Sequence, residues 1–240
     1  MDLPIPARAW FARGRIDRAL SEGAGVGVTT QADTQAARRI GVFGGAFDPP
    51  HAVHHALAAA AIDTLALDVL LIVPTGDAWH KSRPLSPARD RLAMCRLAFA
   101  DLPKARVDDR ELHRDGPTYT IDTLTELQQA WPAAQLYLQI GADQAAAFHT
   151  WRSAQAIADI AIISIAARAD ATGAALQFDP ENPLPGLNVL PDGVRVLPLP
   201  PMPHSATDVR RRVAQGLPID HLVAPAVAGY IAENHLYQTA

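Results

Sequence analysis

Apolar residues fall along this chain in short runs separated by helix-forming stretches. Ile40 to Phe43 is one such run, closed by Gly44-Gly45, and 68–73 (DVLLIV), 135–140 (QLYLQI) and 161–166 (AIISIA) repeat the pattern. Continuous rather than alternating runs of this length predict inner strands covered on both faces. Val194 to Leu199 (VRVLPL) reads as a further strand, and Arg106 to Leu112 as another by its placement, since RVDDREL alternates only weakly. Between the runs lie predicted helices: Ala-rich His54 to Leu67, a segment opening at Ser86-Pro87, the stretch IDTLTELQQAW, a short piece through Phe148 to Trp151, a helix from Ser205, and the closing VAPAVAGYIAENHLY. Strand and helix in alternation predict an α/β fold, a doubly wound, mainly parallel sheet with right-handed crossovers whose ligands meet the strand carboxyl ends.

The 240 residues suffice for one such domain with a full core, placed at 39–240, in which the proline-rich, aperiodic 170–192 is an inserted loop. Residues 1–38 differ in character. A short amphipathic stretch followed by small, polar, glycine-rich residues predicts a flexible extension; covering the domain, or self-association into a homodimer, are the other readings. A net charge of -4 argues against a nucleic-acid scaffold. No window approaches a membrane span, and the N-terminus lacks a secretory apolar core. The single cysteine, Cys95, lies in the apolar pattern RLAMCRLAF and reads as a buried thiol, which fits a cytoplasmic location.

The chemistry begins where the first strand ends. Glycines at a strand-to-helix joint let an anion approach unpaired N–H groups and the positive end of the helix dipole. His51 and His54, three apart, share one face of the first helical turn, and each can donate a ring N–H to a phosphate oxygen. A metal pair of His51 with His55 is the rival, but Ala52 stands where a metalloprotease motif carries its general base. Lys81 reads either as a surface charge or as a site residue, in a loop that faces the strand ends. Thr118 or Thr120 caps a helix, Asp143 caps the next, and Trp151 is either core or a stacking surface. Ser205 and Asp208 have capping-box spacing, and a helix start bearing Ser205, Thr207 and Arg210 is equipped to hold a second phosphate group.

GGAFDPPHAVHH resembles the GGxFDPxHxxH signature of the bacterial nicotinate-nucleotide adenylyltransferases, within the HxGH-type nucleotidyltransferase superfamily, with Val53 where many members carry Gly. HKSRPLSPARDRLAM is similar to the family's HK…P…RLxM segment, DGPTYTIDTL to its GPSYTIDTL, and SATDVR to its S-[SA]-T-x-[IV]-R. Gly141-Ala142-Asp143 matches G-x-D, and the LxxW pattern appears with Phe148 for Leu and Trp151 kept. Of an Arg-Pro-Gly only Arg168 survives, and His204 replaces a usual aliphatic residue. The resemblance covers about 39–238 and implies a Rossmann-like fold that transfers the adenylyl group of ATP to nicotinate mononucleotide. It implies ATP contacts from Gly44, Gly45, Phe47, His51, His54, Gly141, Asp143, Ser205, Thr207 and Arg210, and mononucleotide contacts from Lys81, Thr118, Tyr119 and Trp151. His51, His54, Lys81 and Arg210 are then the catalytic residues, Arg91 matches the RLxM arginine, and Mg2+ is bound through ATP phosphates rather than by protein ligands. The alternatives are a pantetheine-phosphate adenylyltransferase or a cytidylyltransferase, which should lack GPTYTIDTL, or a non-catalytic nucleotide sensor.

Overall fold

The structure, a computed structural model, describes residues 37–76, 84–167, 179, 181–189, 191–199, 202 and 204–238. In chain order its elements are β1 (Arg39–Gly45), α1 (Ala52–Thr64), β2 (Val69–Pro74), α2 (Ala88–Ala98), β3 (Ala105–Val107), α3 (Thr120–Ala130) and β4 (Gln135–Gly141). They continue with α4 (Ala142–Ala146), α5 (Ala154–Ile160), β5 (Ala161–Ala167), β6 (Val194–Pro198), α6 (Ala206–Ala214) and α7 (Pro225–Glu233). The six strands form one sheet in the order β3-β2-β1-β4-β5-β6, and each of its five neighbouring pairs is parallel.

Both faces of the sheet are covered, which is why its strands read as unbroken apolar runs. β2 is buried at every position. Because side chains alternate along a strand, Phe43, Leu70, Ile72 and Tyr137 join one core with Leu57, Met94, Val209 and Ile231, while Val42, Leu71, Leu138 and Ile163 join a second with Leu124, Phe148 and Ile157. Cys95 is fully buried in the first, and burial pushes its thiol pKa up, so it is a core residue and not a nucleophile.

Some local expectations are corrected. The strand expected over 106–112 is only Ala105–Val107; the chain then makes a 3-10 turn at Arg110–His113, because Glu111 turns inward to accept a hydrogen bond from Thr123 at 2.7 Å. α1 starts at Ala52 rather than His54, with His51 as its N-cap, and stops at Thr64. The N-cap of α3 is Tyr119, so neither Thr118 nor Thr120 caps it. At α4 the contact to the Gly141 N–H comes from Gln144 at 3.1 Å rather than from Asp143. Ser205 does cap α6, accepting from the Asp208 N–H at 3.1 Å.

The strand order decides where a ligand can lie. From β1 the chain winds outward to β3, returns through α3 to β4 on the other side of β1, and winds outward again to β6. The reversal leaves a crevice above the carboxyl ends of β1 and β4, the usual ligand position in such sheets. The first of those ends carries Gly44-Gly45 and the second carries Gly141.

Candidate active site

Two adjoining cavities open in that crevice. The first, of about 560 Å³, is lined by Gly44, Gly45, Phe47, His51, His54, Gly141, Asp143, His204, Ser205, Thr207 and Arg210 among others. The second, of about 740 Å³, is lined among others by Thr118, Tyr119, Trp151 and Arg152. Gly44, Gly45, Ala46, Asp143 and Gln144 belong to both, so the cavities share a wall at the glycine turn. Motifs more than 150 residues apart in the chain thus reach one crevice.

The loop from Gly45 to His51 sets the histidines. Phe47 adopts left-handed backbone (φ 46°) and is 2% exposed, its ring 5.1 Å from that of His54 and 5.4 Å from that of Phe43. It therefore packs against His54 and, being almost wholly buried, offers little surface to the cavity it lines. The His51 N–H donates to His54 Nδ1 at 3.1 Å, which leaves the proton of a neutral His54 on Nε2. The two imidazoles lie 3.9 Å apart between centroids. His55 faces elsewhere: its Nε2 meets Asp101 at 2.8 Å and its ring stacks on Phe99, so His51 and His55 do not converge on a metal.

α6 completes this cavity from the far end of the chain. Arg210 donates to the main-chain carbonyl of Asp48 at 2.7 Å, across 162 residues, and to Thr207 Oγ1 at 2.9 Å. His204 lies half-buried beside Ser205; burial lowers its pKa, with the neighbouring His221 and Arg212 acting in the same direction and Asp208 opposing them, which favours the neutral ring. Arg91 is 2% exposed and donates to the carbonyls of Ser86 at 3.0 Å and Ala46 at 3.0 Å. It braces the glycine loop from beneath, whereas Arg89 is a surface residue, its side chain 86% exposed.

Beyond the shared wall, the second cavity draws on other elements. Thr118 Oγ1 is buried and meets no hydrogen-bond partner among the described residues. Trp151 is half-buried against Phe148, ring centroids 4.9 Å apart, with part of its ring left to the cavity. The guanidinium of Arg152 sits 4.4 Å over the ring of Tyr119. In the sequence Arg152 carries no motif signal beyond following Trp151. Lys81, Arg168, residues 1–36 of the expected extension and most of the 170–192 loop lie outside the described residues. Leu184, from within that loop, is 2% exposed and packs in the second core.

Comparison with known proteins adds an independent line. Residues 42–212 match the family model described as cytidylyltransferase-like. The chain is similar to the probable nicotinate-nucleotide adenylyltransferase of Albidiferax ferrireducens, 52% identical over 203 residues that cover 85% of this chain and 100% of that one. A protein of the same description from Bordetella avium is 39% identical over 203 residues, with coverage of 85% and 100%. Among solved structures, Plasmodium falciparum nicotinic acid mononucleotide adenylyltransferase complexed with NaAD aligns with a TM-score of 0.70 at 18% identity, covering 85% of this chain and 98% of that one. That last likeness is one of fold.

Proposed function

The chain belongs to the cytidylyltransferase-like family and, within it, to the nicotinate-nucleotide adenylyltransferases, and from that premise we propose a reading of its site. The protein transfers the adenylyl group of ATP to nicotinate mononucleotide, giving nicotinate adenine dinucleotide and pyrophosphate in NAD biosynthesis. The observation that carries this reading is the wall shared by the two cavities, since a donor and an acceptor in adjoining compartments meet at the glycine turn.

A mononucleotide phosphate is already a nucleophile at pH 7, so the reaction needs neither a covalent intermediate nor a general base. One of its oxygens forms a bond to the α-phosphorus of ATP as the bond from that phosphorus to the β-bridging oxygen breaks, and pyrophosphate leaves. The obstacle is charge: two unit charges 4 Å apart repel by about 4 kcal/mol at an effective dielectric of about 20. The chain answers with positioned donors and cations. His54, its Nδ1 engaged by the His51 N–H, offers Nε2–H to the reacting phosphates, with His51 beside it. Ser205, Thr207 and Arg210 hold the departing pyrophosphate at the start of α6. Lys81 belongs to the transition-state charge on the strength of the family motif.

In the second cavity the pyridine ring stacks on Trp151, and Thr118 and Tyr119 at the start of α3 meet its carboxylate. A helix start favours an anion there over a neutral amide. Arg152, stacked on Tyr119, adds a full positive charge with the same preference. Magnesium, when bound, would be held mainly by the triphosphate, whose charge it would offset; among the described residues no group of three His, Cys, Asp or Glu side chains is gathered. No described helix is long and apolar enough to cross a membrane, and the reading places the enzyme in the cytoplasm. A homodimer through the extension of residues 1–38 is compatible with it.

The test is to incubate purified protein with ATP, magnesium and either nicotinate or nicotinamide mononucleotide and to measure pyrophosphate. Release dependent on the acid supports the reading. Release with neither mononucleotide, or with pantetheine phosphate instead, refutes it.

A further inference from the structure

The turn after α7 has no role in the chemistry above, yet it reaches the nucleotide site. His235 (φ 52°) and Tyr237 (φ 61°) both take left-handed backbone, which non-glycine residues keep only where surrounding contacts hold them. Leu236 and Tyr237 pack against the first core. The Tyr237 hydroxyl donates to Asp48 Oδ1 at 2.6 Å, across 189 residues of chain. Burial, reinforced by this carboxylate acceptor, pushes the phenol's pKa well up, so it remains a donor throughout the working pH range.

Asp48 is the hub of the glycine loop. It is 2% exposed; its Oδ2 accepts the Ser86 N–H at 3.2 Å, and its main-chain carbonyl accepts Arg210 at 2.7 Å. Three separate parts of the chain therefore converge on one residue, three positions before the His51 cap. Removing the tyrosine hydroxyl leaves a buried carboxylate one donor short, which costs free energy that the loop recovers by rotating Asp48 toward water. That rotation moves the carbonyl on which Arg210 is anchored.

We propose that Tyr237 is a positioning residue for adenylyl transfer: by fixing the Asp48 carboxylate it fixes the carbonyl that aims Arg210 into the triphosphate cavity. The proposal rests on the adenylyltransferase reading, and α7 supplies an internal control. Tyr230 makes a bond of the same kind, donating to Asp90 Oδ1 at 2.9 Å, but onto α2 rather than onto the loop.

Tyr237→Phe and Tyr230→Phe are compared with the unaltered protein by pyrophosphate release, ATP titration and thermal unfolding. Tyr237→Phe is expected to lower kcat on the order of tenfold and to weaken ATP severalfold, without changing KM for nicotinate mononucleotide, because Asp48 and Arg210 line the first cavity and not the second. Tyr230→Phe should unfold at a similarly lowered temperature with kcat within about twofold of normal. The proposal is overturned if Tyr237→Phe turns over and binds ATP normally, or if it behaves as Tyr230→Phe does in every readout. Should the unaltered protein release no pyrophosphate, the enzymatic reading fails on its own account, while weaker ATP binding by Tyr237→Phe alone still supports the tether and equal binding still refutes it.

Discussion

A methyl group on Gly44 would meet no described atom within 4 Å, yet Gly44 lines both cavities. The fold has room for a side chain there, and the reaction does not. Gly44→Ala should therefore unfold at the normal temperature and show a raised KM for both substrates; an unchanged KM would remove the glycine from the site. Trp151→Ala should raise KM for the mononucleotide by roughly three- to tenfold, the worth of one aromatic stack, and leave KM for ATP alone. The reverse ranking would assign Trp151 to packing. Arg152→Ala should cost the acid substrate on the order of tenfold in kcat/KM and cost the amide nothing, read from initial rates with both mononucleotides. Equal losses would show that its charge does not select. The glycines, histidines and arginine of the motifs were legible because their spacing is local, whereas Arg152 and Tyr237 matter through a ring 4.4 Å away and a carboxylate 189 residues back, and no local pattern records either.

At the scale of elements, strands were read best where the chain is buried on both faces, as at β2 and β4. They were read worst at β3, a three-residue edge strand whose sequel is bent inward by Glu111. Gly76 shows how closely that bend is fitted. A Cβ on it would lie 2.1 Å from the Glu111 carbonyl oxygen and 2.9 Å from Thr118 Cγ2, and the first is backbone that cannot swing aside. Gly76→Ala should cost about 1–3 kcal/mol in denaturant unfolding and raise KM for the mononucleotide through Thr118; a variant as stable as the parent would mean the 3-10 turn is loosely placed. Helix caps were the other weak point. Hydroxyls at Thr118 and Thr120 satisfy a capping pattern, but the chain puts Tyr119 at the cap and leaves the buried Thr118 hydroxyl without a partner among the described residues, in a residue that lines the second cavity.

Across the whole molecule, the strand order 3-2-1-4-5-6 forces a crevice between β1 and β4, and Gly44, His51, His54, Thr118, Trp151, Ser205 and Arg210 line the cavities that open there, where loops at strand carboxyl ends converge. Arg210 bonding to the Asp48 carbonyl makes that convergence physical: the loop that presents the histidines and the helix that presents the arginine are one assembly. The central claim is that this assembly neutralises a triphosphate while a second phosphate attacks it. The most direct test is steady-state pyrophosphate release by His54→Ala with saturating ATP, magnesium and nicotinate mononucleotide, in protein shown to unfold at the parent's temperature. Turnover about 10²-fold or more below the parent is predicted; turnover equal to the parent's would contradict the account.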